Sequence, residues 1–146
     1  ALAIEKESGY LVEQTTRALE KSPISDKDKA ALYNVLASVS YSLKDDERSL
    51  KFQEYTIELN PTEPAYYYNI ATLYRELKME DELLKSLNSL VTIYKSKDPG
   101  KEKINFKYLD WARGIYSDRG ETTAVKEIDQ IIAKSKMYPE NAIVNY

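Results

Sequence analysis

An internal repeat restricts the fold of this chain more than any other feature: residues 30–61 and 64–95 carry one pattern, 34 residues apart. In the first copy Tyr33, Leu36 and Ala37 precede Ser49, which lies twelve residues beyond Ala37. In the second, Tyr67, Ile70 and Ala71 precede Leu83 at the same interval. A looser third copy over 104–136 sets out Tyr108, Trp111, Ala112 and Ala124 with the same internal spacing. A period in the thirties, made of two apolar stripes of helical spacing with a break between them, predicts stacked helical hairpins, since one hairpin alone cannot bury its apolar face. Arrays of this kind present extended surfaces to other macromolecules.

Composition bounds the function. The 146 residues are 42% hydrophobic and 31% charged, enough apolar content for a packed core, and only 4 Gly and 5 Pro interrupt the helices. A formal charge of −3 argues against a dedicated nucleic-acid binder, which needs surplus Lys and Arg for phosphates. With no cysteine, a disulfide framework is excluded and the compartment stays open, cytoplasmic or periplasmic. No apolar run approaches the roughly 18–20 residues of a membrane span. The start at Ala1 rather than Met points to a trimmed or processed chain.

Turn signals divide the chain into seven predicted helices. The first, about 3–21, ends before Ser22-Pro23, because a residue preceding proline leaves the helical region. The second opens at Ser25, whose hydroxyl can cap free amides, and Leu32, Leu36, Val39 and Leu43 are expected on its buried face. Lys44-Asp45-Asp46 opens the third, which Asn60-Pro61 closes. The fourth and fifth repeat that scheme around Met79-Glu80-Asp81. An irregular stretch, 95–103, holds seven residues beyond strict repetition and precedes a sixth helix over 104–118. Gly120 then supplies a left-handed turn into a seventh over 121–136.

An aromatic, then an apolar and a small residue three and four on, a small residue twelve further and a closing proline: this pattern resembles the tetratricopeptide repeat. Glu58-Leu59-Asn60-Pro61 is similar to that family's usual ending. Residues 1–23 resemble an N-terminal helix or partial repeat, and Pro139-Glu140-Asn141-Ala142, within 139–146, the start of a further first helix. Leu83 stands where a small residue is usual, Lys44 and Lys78 where glycine is usual, and the third copy lacks its proline at the strict spacing. The resemblance implies an all-α right-handed solenoid of antiparallel helix pairs, with 1–146 as one unit, that binds a protein or peptide. Close packing of a pair needs small side chains at the crossing, met by Ala37 with Ser49 and by Ala112 with Ala124. Tyr33, Tyr67 and Tyr108 would bridge adjacent hairpins.

The same resemblance places partner-binding residues on the concave face of each first helix: Asn34, Ser38 and Tyr41, then Tyr68, Asn69, Thr72 and Arg75, then Phe106, Leu109, Arg113 and Tyr116. Rigid aromatics with a few polar and cationic anchors are enriched at the energetic centres of interfaces. The carboxylate clamp of co-chaperones with this repeat maps onto Asn34, Ser38, Asn69, Phe106 and Asp110, of which only Asn69 matches. That use is not expected, although Arg75 and Arg113 favour an acidic partner.

Catalysis loses most of its means. Without histidine or cysteine the commonest general base, thiol nucleophiles and ordinary zinc sites are absent. Asp45-Asp46-Glu47 and Glu80-Asp81-Glu82 open predicted helices, where negative charge favours the dipole, and neither has a calcium-loop spacing. The lysines at 95–107 are interrupted by Asp98 and Glu102, as on a solvated loop. No enzyme activity, metal or cofactor is expected. The reading is a scaffold binding a protein or peptide in the concave groove. Its rivals are a homo-oligomer stacked through its end helices and an RNA-binding helical repeat.

Overall fold

A computed structural model describes residues 2–143. Seven helices follow in order: α1 (Leu2–Glu20), α2 (Asp26–Ser42), α3 (Asp46–Leu59), α4 (Pro64–Glu76), α5 (Glu80–Ser96), α6 (Lys107–Asp118) and α7 (Thr122–Ser135). Three of their starts carry clear capping chemistry. Ser25 Oγ accepts from the Asp28 amide at 3.1 Å, Asp45 Oδ1 accepts from the Arg48 amide at 3.0 Å, and Pro64 opens α4, where its missing N–H costs nothing. None of the helices among the described residues is long and apolar enough to cross a membrane.

Three-residue turns fold α2 onto α3, α4 onto α5 and α6 onto α7, and each turn closes in the same way. The Asp45 amide donates to Ser40 O at 2.9 Å, the Met79 amide to Tyr74 O at 2.9 Å and the Glu121 amide to Tyr116 O at 3.0 Å. The residue before each donor is left-handed: Lys44 at φ 60°, Lys78 at φ 58° and Gly120 at φ 70°. This is the six-to-one closure of a Schellman turn, which glycine makes without strain and lysine makes at about 1–2 kcal/mol.

The shared turn fixes the true register of the third hairpin. Lys44 and Lys78 are 34 residues apart, but Lys78 and Gly120 are 42 apart, one more than the spacing of Tyr67 and Tyr108. Buried residues obey the turn. Ala30, Tyr33, Leu36 and Ser40 of α2 correspond to Phe106, Leu109, Ala112 and Tyr116, all buried. Leu109, not Tyr108, therefore stands where Tyr33 and Tyr67 stand, and Arg113 takes the place of Ala37 and Ala71. Since one residue turns a helix by about 100°, this slip moves the face expected to line a groove into the core.

The core has two parts. One, in α1 to α3, joins Val12, Leu19, Tyr33, Leu36, Ala37 and Phe52, with Tyr33 and Phe52 stacked at 6.0 Å. The larger, in α4 to α7, centres on Leu83, Leu87, Leu90, Leu109 and Ile128, all 0% exposed. Leu83 is thus accommodated opposite Ala71. On α2 the expected inward face is wrong in part: Leu32 and Val39 are 47% and 38% exposed, and Val35, on the same stripe, is 56% exposed. Only Leu36 of that set reaches the core, because the buried stripe runs through Ala30, Tyr33, Leu36, Ala37 and Ser40.

The irregular stretch before α6 is mostly exposed but is tied down at Pro99 and at its end. Ile104–Asn105 (β1) is not the start of α6 but pairs in parallel with Ala142–Ile143 (β2), a two-residue ladder. Pro139–Asn141 forms a 3-10 turn leading into β2, so this segment does not enter a further first helix. Asn141 Nδ2 donates to Pro99 O at 2.9 Å, and Tyr94 Oη to Asn105 O at 2.7 Å.

Candidate partner-binding cleft

A cleft of about 300 Å³ opens between α2 and α4. It gathers six of the eleven residues expected at a binding surface: Asn34, Ser38, Tyr41, Tyr68, Asn69 and Thr72. They meet because α2 and α4 are the first helices of successive hairpins and each repeats a polar stripe in register, Asn34 with Tyr68 and Ser38 with Thr72. Asn69 Nδ2 donates to Asn34 Oδ1 at 3.1 Å across the cleft. Tyr41 Oη donates to both oxygens of Glu76, at 3.1 and 2.9 Å, near the end of both helices. That hydrogen bond, then the glutamate's charge, raises the Tyr41 phenol above its usual range.

Four lining residues were not read from the sequence. Ser42 and Glu76 occupy the same repeat position, one place beyond Tyr41 and Arg75, so the period could have found them. Leu73 contributes an apolar wall. Gln53 comes from α3, a second helix, and forms part of the lining although it is 9% exposed; a search confined to first helices cannot reach it.

The third hairpin does not contribute as expected. Phe106, Leu109 and Tyr116 are 3%, 0% and 3% exposed, and are core residues rather than groove residues. Phe106 stacks on Tyr94 at 5.9 Å, and the Tyr116 hydroxyl donates to Asn88 Oδ1 on α5. Arg113 turns to α7, where its Nε and Nη2 hold Asp129 at 2.7 and 3.2 Å. Arg75 is exposed, outside the lining, and makes no ion pair among the described residues. With the register moved by one, Trp111 holds the place of Asn69, and its indole meets the Tyr68 ring edge-on at 4.7 Å. Tyr108 joins them at 5.0 Å from Tyr68, extending the wall from α4 to α6. The clamp places in the third hairpin become Lys107 and Trp111, which still leaves an indole where a second cation is required.

No protein-family model matches the sequence, and no curated protein matches it. Among solved structures, the crystal structure of MamA, a protein with tetratricopeptide repeats, superposes with a TM-score of 0.56 at 16% identity, over 91% of this chain and 69% of that one. Likeness at that identity speaks for the fold, and the fold of this chain is that of a tetratricopeptide-like helical repeat.

Proposed function

We propose that the chain is a non-catalytic protein-interaction scaffold whose partner presents a peptide segment or a small projecting element to the cleft between α2 and α4. The observation that carries this reading is the cleft itself: its volume falls at the low end of ligand-binding pockets, and polar groups from two successive hairpins converge on it. Aromatic walls from Tyr41 and Tyr68 supply rigid contact area at low entropic cost. Partners captured on the purified chain can be titrated against Ser38→Trp, which fills the cleft from an exposed position on α2. Lost binding with an unchanged circular dichroism spectrum is expected; unchanged binding places the interface elsewhere.

A second reading has its own observation. Leu32, Val35 and Val39 lie within about 60° of one another on α2 and form an exposed apolar stripe. Their counterparts on α4 are Tyr66, Asn69 and Leu73, two of which face the cleft shared with α2, so the stripe is a stacking face without a neighbour among the described residues. Self-association through it predicts a concentration-dependent mass in sedimentation equilibrium, abolished by Val35→Glu with Val39→Glu.

A further inference from the structure

The protons of the cleft's serine and threonine hydroxyls are already committed. Ser38 Oγ donates to Asn34 O at 3.2 Å, Ser42 Oγ to Ser38 O at 3.1 Å and Thr72 Oγ1 to Tyr68 O at 2.8 Å, each bonding back to its own helix. Each hydroxyl can therefore offer the cleft only oxygen lone pairs. Asn34 Oδ1 is held by Asn69, while Asn69 Oδ1 accepts no hydrogen bond among the described residues. Glu76 is the one charged residue in the lining.

Gln53 adds a buried acceptor without a partner. Its Oε1 is shielded and accepts no hydrogen bond among the described residues. The amide orientation follows from its neighbours: Nε2 donates to Ser49 Oγ at 3.5 Å, and Ser49 sends its own proton to Ala37 O at 2.9 Å. Turned the other way, Gln53 Oε1 would face an oxygen with no proton to give. A buried acceptor left in this state is unfavourable until a donor reaches it.

We propose that the cleft takes a donor-rich cation, the guanidinium or ammonium group of an arginine or lysine side chain on the partner. Three hydroxyl oxygens, the Asn69 amide oxygen and the Glu76 carboxylate are acceptors, and the shielded Gln53 Oε1 becomes one when its side chain turns toward the cleft. The amide hydrogens of Asn34 and Asn69 and the Tyr68 phenol are the few donors set against them. A guanidinium carries five N–H donors and no acceptor, and a lysine ammonium three. Tyr41 and Tyr68 stand in the same lining, and aromatic rings attract a cation held over them. The sign is opposite to the acidic partner that Arg75 and Arg113 suggested, because neither arginine lines the cleft and Arg113 is bound to Asp129. This inference rests on the cleft being the binding surface.

The test uses four blocked tripeptides, acetyl-Gly-X-Gly-amide with X as arginine, lysine, citrulline or glutamate, titrated into the isotope-labelled chain and followed by amide chemical shifts. Saturable shifts centred on residues 34–42, 53 and 68–76 are expected with arginine and lysine. Affinity should fall about fivefold or more with neutral citrulline and vanish with glutamate. Gln53→Met, of similar shape but without the acceptor, and Glu76→Gln, on the surface, should each weaken the arginine peptide about fivefold. The inference is overturned if the arginine peptide gives no saturable shift in the cleft, if citrulline or glutamate binds equally well, or if both variants bind as the parent does. Ser38→Trp separates the two claims. A captured protein that loses binding to Ser38→Trp but not to the other two variants keeps the cleft and removes the cation. A protein that binds all three as the parent does removes the cleft.

Discussion

Ser49 on α3 donates its hydroxyl proton to the backbone oxygen of Ala37 on α2, 2.9 Å away, so these two small residues join the helices of the first hairpin by a hydrogen bond. Both are buried, Ser49 at 0% and Ala37 at 1% exposure. Removing the hydroxyl in Ser49→Ala leaves the packing intact and takes away that bond and the one from Gln53. A loss of about 0.5–1.5 kcal/mol is expected, read as a lower denaturant midpoint at unchanged slope. Ser49→Leu, which copies Leu83 into a crossing built for a small residue, should cost about 1–3 kcal/mol through overpacking.

The two left-handed lysines are sites where the sequence departs from the conformation it must adopt. Lys44→Gly and Lys78→Gly remove strain of about 1–2 kcal/mol while loosening the unfolded chain by about 0.4–1 kcal/mol. Each should raise stability by roughly 0.5–1 kcal/mol, with near additivity because the turns lie in different hairpins. Thermal midpoints of the single and double variants check both values. Gly120→Lys should move the other way by a similar amount.

Among the tyrosines raised above their usual range, two phenols in the larger core are raised most and bear most on alkaline stability. Burial first, and the charge of Glu121 second, push Tyr116 up to about 12; burial raises Tyr94 further. Both groups ionise near 10 when exposed, so their contribution to stability is complete below that pH. From pH 10 upward the unfolded chain gives up protons that the folded chain keeps, and stability falls with rising pH until the folded phenols ionise too. Denaturant midpoints measured from pH 8 to 12 should be level and then decline, and Tyr116→Phe should flatten the decline.

Much of this architecture could be read from the residues because each signal was local: Ser25 caps, Asn60-Pro61 stops, and Gly120 turns. The third hairpin could not be placed from spacing alone. Tyr108, Ala112 and Ala124 reproduce the intervals of Tyr33, Ala37 and Ser49, and it is the hydrogen bond from Glu121 to Tyr116 O, with the left-handed Gly120 and the buried residues, that shows the turn to fall one residue later. That single residue explains why Phe106, Leu109 and Tyr116 lie in the core while Asn34, Ser38, Tyr41, Tyr68, Asn69 and Thr72 meet in the cleft. Gln53 escaped for another reason: its importance depends on where the Ser49 proton goes, which no sequence pattern records.

The corrected register makes its own prediction at Arg113 and Asp129. Counted from the turns, Arg113 stands where Ala37 and Ala71 stand, and Asp129 where Gln53 and Leu87 stand, so an ion pair occupies positions that hold an alanine and a longer side chain in the other hairpins. Its side chains are 38% and 50% exposed, and a pair so open to solvent contributes little to stability. Arg113→Ala with Asp129→Leu restores the Ala71 and Leu87 arrangement and lets α6 and α7 close over a leucine whose burial is favourable by about 1.5–3 kcal/mol. The double variant should therefore be more stable than the parent by roughly 1–2 kcal/mol and should bind the arginine tripeptide unchanged, because neither residue touches the cleft. Arg113→Ala alone should be slightly less stable than the parent, since it leaves Asp129 without its partner. A double variant less stable than either single one, measured in urea, would mean that α6 and α7 do not cross at these positions, and the register anchored on Gly120 would fail with it.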